Sequence, residues 1–201
     1  MRLATALLGL AISTPAFAGG IGLVGGGGIR SQPVYWYEDG DPNSQVKQVQ
    51  RLGQMGGGLE VALGDRDERF LGFFRGYLWR EGPEKNPAEL TTLYTSLEEA
   101  EEHVVASYRG APRNVGMFTV GMQAGIIGDP KNVMGTIVAD VGSGFLTSDH
   151  SEFLQAEAGI GVTWAAARPL HIYANTMYSV RWRKGFMNGI NGYAGFRYMF
   201  D

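Results

Sequence analysis

Beyond residue 19, apolar and polar side chains alternate one by one along most of the chain. That is the period of a β-strand with one apolar and one polar face. The pattern is cleanest over 171–183. The odd positions there are His171, Tyr173, Asn175, Met177, Ser179, Arg181 and Arg183, while the even ones are Ile172, Ala174, Thr176, Tyr178, Val180 and Trp182. Ile190, Ala194, Phe196, Tyr198 and Phe200 share one face of a last strand over 188–200, opposed by Asn191, Tyr193, Gly195, Arg197 and Met199. Further upstream, Leu154, Ala156, Ala158, Ile160, Val162 and Trp164 oppose Gln155, Glu157, Gly159, Gly161 and Thr163. Ile137, Ala139, Val141 and Phe145 oppose Thr136, Asp140 and Gly142, with Val138 breaking the rule. Phe118, Val120, Met122, Ala124 and Ile126 oppose Thr119, Gly121, Gln123 and Gly125. Two more strands read at roughly 49–63 and 69–81. A glycine-rich first strand reads at 19–37, where Pro33 predicts a bend or an end.

The connections carry separate information. Residues 64–68, 128–132 and 165–169 are short turn-like links. Between them fall mostly longer links around 38–46, 82–113, 147–152 and 184–189. Strands of about 9–11 residues, even in number, with short turns at one end and longer loops at the other, are the plan of a transmembrane barrel. The pattern predicts an all-β fold, an eight-stranded antiparallel up-and-down transmembrane β-barrel. Within the longest link, Asn86-Pro87 is a helix start, and Leu90, Leu93, Tyr94, Leu97, Val104 and Tyr108 follow helical spacing, with Glu98, Glu99, Glu101 and Glu102 on the wet side. Gly110 and Pro112 end it. One amphipathic helix is therefore expected in an extracellular loop, 84–110. It would be a lid or docking surface, or an ordinary helix resting its apolar stripe on the barrel rim.

Composition agrees with a sheet that is half in lipid. Glycine is the outlier at 31 residues, beside 4 Trp, 9 Tyr and 10 Phe; no three-residue collagen period exists, and the aromatics argue against disorder. The absence of cysteine excludes a disulfide framework and a thiolate metal site. A net charge of −3 gives no reason to expect nucleic acid as a partner. At the start, Met1-Arg2, an apolar run from Leu3 to Ala11, and Ala16-Phe17-Ala18 form an export signal with cleavage expected after Ala18. The run is too short to cross a bilayer as a helix. The expected organisation is a signal peptide, 1–18, followed by a barrel domain, 19–201.

The terminal residues Tyr193, Gly195, Phe196, Tyr198 and Phe200 resemble the C-terminal assembly signal of bacterial outer-membrane proteins, departing from it in the weakly polar Tyr193 and in Asp201 after the final Phe. The architecture resembles the small eight-stranded barrels of the OmpA and OmpX type over the whole mature chain, as pattern and topology. That resemblance implies residence in the cell outer membrane of a Gram-negative bacterium, contact with lipid and lipopolysaccharide, and insertion by the barrel-assembly machinery. Trp164, Trp182, Tyr178, Tyr198 and Phe200 would form interfacial girdles.

The expected interior carries Glu60, Arg75, Asp140, Glu157, His171, Arg181 and Arg197, with Glu60 opposite Arg75. Eight strands leave a lumen only wide enough for side chains, and buried charges need partners. This set reads as a polar plug, or else as a conduction path or proton relay. Gly20-Ile-Gly22-Leu-Val-Gly25 matches a dinucleotide fingerprint, but no helix follows. Ser148-Asp149-His150-Ser151-Glu152 holds the residue types of a hydrolase triad, yet neighbours on one strand or turn point apart. Lipid-remodelling barrel enzymes use an outward His and Ser, whereas His171 and Ser179 fall on the inward face. Asp65, Asp67 and Glu68 could hold calcium weakly or form a solvated turn, and three histidines without cysteine make a transition-metal site improbable. No cofactor, metal or catalytic activity is expected. The leading expectation is a non-enzymatic surface binding or structural platform acting through its outer loops on a protein partner. A narrow pore, or a barrel subunit of an envelope-spanning secretion, polysaccharide-export or motility complex, are the alternatives.

Overall fold

A computed structural model of the chain describes residues 18–37, 45–65, 67–83, 113–146, 152–182 and 186–200. The export segment and the expected loop helix, with Leu90, Leu93, Leu97 and Val104, lie outside the described residues. Eight strands follow in chain order: β1 (Gly19–Tyr37), β2 (Gln45–Leu63), β3 (Phe70–Pro83), β4 (Arg113–Gly128), β5 (Val133–Leu146), β6 (Glu152–Ala167), β7 (Leu170–Trp182) and β8 (Phe186–Met199). Each pairs antiparallel with its neighbours, and β8 returns to β1, so the sheet closes into a barrel.

Several boundaries differ from the alternation reading. β2 begins at Gln45, ahead of the expected 49, β3 runs to Pro83, past the expected 81, and β6 continues through Ala167, reducing the expected 165–169 link to 168–169. The expected outer link 184–189 is mostly strand, because β8 starts at Phe186 rather than at 188. Backbone pairing to β7 (Trp182↔Phe186) carries it past the point where side-chain alternation fades. Pro33 ends nothing. β1 runs on to Tyr37, paired with β2 throughout, while its ladder with β8 stops at Ser31↔Asn188. Pro33 thus sits where β1 is paired on one side only, the place a strand tolerates a missing N–H.

The short links are built from turn chemistry. Asp65 Oδ1 accepts from the Asp67 N–H and Asp129 Oδ1 from the Lys131 N–H, each at 3.0 Å. Gly128 closes β4 at φ 89°, where a Cβ would overlap the Val133 carbonyl. Register shifts at Gly125/Ile127 and Ala165/Ala167 mark bulges beside two of these turns.

Inward and outward faces separate as alternation requires. Facing out are Ile21, Leu59, Phe74, Phe118, Ile137, Ile160 and Ile172, all exposed. Facing in are buried side chains that fill the barrel from end to end. Ala62, Leu71 and Met199 cluster at the turn end. Leu52, Val115 and Leu146, each with 0% exposure, face inward at the loop end.

Candidate functional site

Among the described residues, it is in the lumen that the strands converge polar chemistry. At the turn end the hub is Glu60 on β2. Arg75 Nε donates to its Oε2 at 2.6 Å, Tyr173 Oη donates to the same oxygen at 3.0 Å, and Arg197 Nε donates to Oε1. Glu60 and Arg75 are register partners on neighbouring strands, so one pleat aims both inward. Arg197 also reaches Gln123 Oε1 at 3.0 Å, and Gln123 donates to Thr163 at 2.8 Å. The guanidinium groups stack on rings: Arg75 lies 3.7 Å over Phe73 and Arg197 4.1 Å over Tyr173.

A second cluster fills the loop half. Arg181 Nη1 donates to Glu81 at 2.8 Å and its Nε to Gln155 at 3.1 Å, and Arg30 donates to Gln155 at 3.0 Å. Glu157 accepts from Gln155 at 2.9 Å and from Asn191 Nδ2 and Tyr193 Oη; Gln54 donates to Asn191. Between the clusters stand the rings of Tyr77, Trp79 and Tyr193, with centroids 5.4–5.7 Å apart.

All seven interior residues expected from the sequence face the lumen and are buried. The structure joins Glu60, Arg75 and Arg197 in one cluster and Glu157 with Arg181, through Gln155, in the other. Among the described residues Asp140 makes a single ion contact, to Arg75 Nη1 at 3.5 Å, and its oxygens accept no hydrogen bond. His171 is at the turn end, the register partner of Arg197. With Arg197, Gln123 and Thr163 it lines a shallow cavity below Asp65 and Glu68 that has room for about one water-sized molecule.

Arg30 and Glu81 complete the lumen and were missing from the sequence reading. Counting inward from Gly20 in steps of two reaches Arg30, but a run of glycines hides that phase. Glu81 sits at the outer end of β3, where apolar alternation has stopped. With them, the buried charges among the described residues are Arg30, Arg75, Arg181 and Arg197 against Glu60, Glu81, Asp140 and Glu157, four against four.

Of the expected assembly-signal residues, Tyr193 and Gly195 are on the inward face, and Phe196, Tyr198 and Phe200 face out. The Gly20–Gly25 string is part of β1, paired on both sides. Ser148–Ser151 lie outside the described residues, and His171 and Ser179 are both buried in the lumen. Among the described residues no group of three His, Asp or Glu is placed to hold a metal ion. Asp67 instead pairs with Lys131 at 3.3 Å.

The site and fold together define a closed eight-stranded antiparallel barrel whose interior is filled by side chains, with four arginines and four acids buried among the described residues. No known protein family profile and no curated protein matches the chain. Among solved structures, Neisserial surface protein A (NspA) is similar at 11% identity and TM-score 0.46, over 90% of this chain and 97% of that one. The outer membrane protease OmpT of Escherichia coli is similar at 7% identity and TM-score 0.39, over 93% and 98%. The β domain of the Bordetella autotransporter BrkA is similar at 12% identity and TM-score 0.37, over 91% and 100%. Likenesses this distant say nothing of what the chain binds or catalyses.

Proposed function

We propose that the chain is an outer-membrane barrel that serves as a closed platform, holding its loops at the cell surface rather than passing solutes. The observation that carries the reading is the pairing of a lipid-compatible outside with an inside filled by side chains whose buried arginines and acids match in number among the described residues. Apart from Thr176 on β7, the outward positions near the turn end of each strand are apolar or glycine, and polar residues begin only beyond them. Phe70, Phe74 and Leu78 precede Arg80; Leu59 and Met55 precede Arg51; Trp164, Ile160 and Leu154 precede Glu152. The eleven positions from Leu154 to Trp164, rising about 3.3 Å each and tilted by about 40°, give a band roughly 25 Å tall, the height of a transmembrane barrel's apolar belt. Trp164, Tyr198 and Phe200 at one rim, and Trp182 and Phe186 at the other, are the girdles of that belt, while Tyr178, expected among them, pairs with Ala158 inside it. A closed sheet also leaves no unpaired edge in hydrocarbon.

Inside, a pore would need a continuous aqueous path, whereas apolar side chains face the lumen at both ends and two ion-paired clusters fill the length between them. Lipid and lipopolysaccharide contact the belt, the assembly machinery inserts the barrel, and a protein partner meets the outer loops. Two measurements test this. Lipid-soluble photolabelling in membranes is expected to modify Leu154, Ile160 and Ile172; an unlabelled outer face would make this a water-soluble barrel. Planar-bilayer recording of the purified protein is expected to be silent. Steps of conductance altered by Arg75→Ala or Arg181→Ala would replace the platform with a channel. Deleting 84–110 is then expected to abolish surface partner binding while leaving heat-modifiable migration of the folded barrel intact.

A further inference from the structure

The strand that closes the barrel has almost no inward side chains of its own. From Gly20 to Arg30, the inward positions of β1 are Gly20, Gly22, Val24, Gly26, Gly28 and Arg30. Such a strand specifies its register weakly, because slipping by two residues keeps every remaining side chain on its proper face. Yet the side chains of its two neighbours meet over its glycines. Gly22 is the register partner of both Glu60 on β2 and Arg197 on β8, and those two are hydrogen-bonded to each other, with a second contact from Arg197 Nη2 to Glu60 Oε2 at 3.4 Å. Gly28 is likewise partner to both Gln54 and Asn191, and Gln54 donates to Asn191 across it. A Cβ on Gly28 would overlap Asn191 Oδ1, and one on Gly26 would press on the Tyr193 ring at 3.2 Å.

We propose that the glycines of β1 form a slot through which β8 bonds directly to β2, and that these two bonds fix the register in which the barrel closes. Slipping β8 by two residues in one direction sets Arg197 against Val24 and Asn191 against Arg30. Slipping it the other way sets Tyr193 against Val24. Either slip separates Arg197 from Glu60 and Asn191 from Gln54 by two strand positions, about 7 Å, beyond hydrogen-bond reach. The latch thus supplies the specificity that the glycine strand lacks, and it forms only once the last strand has docked on the first.

The chain has no cysteine, so engineered pairs report register cleanly. Leu23 and Phe196 are partners in the closed barrel, and both face outward, away from the lumen. Leu23→Cys with Phe196→Cys therefore reports the native register. Leu23→Cys with Ala194→Cys or Tyr198→Cys reports slips of two. The mature chain is refolded in detergent micelles and oxidised in each background. Arg197→Met is expected to lower the ratio of native to slipped cross-links about tenfold, the weight of one charge-assisted hydrogen bond. Asn191→Leu is expected to lower it less. Arg75→Met removes an equally buried arginine from the same glutamate without touching the seam, and is expected to leave the ratio within about twofold. Failure of Arg197→Met to close while Arg75→Met closes would also support the latch. Equal behaviour of the two, whether both close in the native register or both fail, would overturn it. Because the assay is read in micelles, its outcome is separate from the membrane reading.

Discussion

Replacing Glu60 by glutamine removes one charge from the turn-end cluster and leaves its shape. The carboxylate is 1% exposed and accepts from Arg75, Arg197 and Tyr173. Without the charge, the ion partner left to Arg75 among the described residues is Asp140 at 3.5 Å, Arg197 has neutral Gln123, and the single amide oxygen of the glutamine offers one uncharged acceptor between them. Two guanidinium groups, 2% and 1% exposed, are then left in a low-dielectric interior without their counter-ion. Breaking a buried pair from one side costs about 3–5 kcal/mol, and two stranded arginines put Glu60→Gln at the upper end of that range. Asp140→Asn is the contrast. It is equally enclosed, but its oxygens accept no protein hydrogen bond, so about 1 kcal/mol or less is expected. The assay is urea unfolding of the refolded barrel, followed by tryptophan fluorescence from Trp79 in the lumen and Trp164 and Trp182 outside. With a slope of about 2 kcal/mol per molar urea, Glu60→Gln should lower the midpoint by about 2 M and Asp140→Asn by less than about 0.5 M. A companion quadruple variant, Glu60→Leu with Arg75→Met, Arg197→Met and Asp140→Asn, should recover much of the loss, since it also removes the carboxylate that Arg75 had faced and leaves no charge of this cluster unpaired. Equal midpoints for Glu60→Gln and Asp140→Asn would refute the hub, as would a Glu60→Gln barrel within about 1 kcal/mol of the parent.

The glycines separate sharply by position. Gly58→Ala places a Cβ on the Gly76 carbonyl and should abolish heat-modifiable folding or cost more than about 2 kcal/mol, while Gly53→Ala meets nothing within 4 Å and should stay within about 0.5 kcal/mol of the parent. Gly128→Ala forces a side chain into a left-handed turn against Val133, and should lower the urea midpoint by an amount equivalent to about 1–2 kcal/mol. Lys131→Ala breaks an ion pair whose side chains are 67% and 42% exposed; a change above about 0.5 kcal/mol in the same titration would contradict the screening expected there.

Much of this barrel is legible in the sequence because a strand's side-chain period is local. Whether His171, Asn175 or Arg181 faces in depends only on its parity with its neighbours, so one-dimensional alternation suffices to sort the faces and to place Glu60 opposite Arg75 across a short turn. The same locality explains the misses. Arg30 is hidden behind glycines that carry no polarity. Glu81 and the ends of β1, β2 and β8 lie where backbone pairing persists after the apolar belt, and with it the alternation, has stopped.

What no local pattern contains is which inward side chains meet. Glu60 and Arg197 are 137 positions apart, as are Gln54 and Asn191, and Arg30 and Gln155 are 125 apart. Those partnerships depend on strand order, on the offset of each register and on closure of β8 against β1. Asp140 and Glu157, two acids that become register neighbours across β5 and β6, show the same thing. Their sequence declares both inward, but only the fold gives Glu157 its donors and leaves Asp140 with a distant arginine. Alternation along the chain determined which side chains enter the lumen. The closed sheet decided how they pair, because pairing in a space one side chain wide is set by the positions of all eight strands at once.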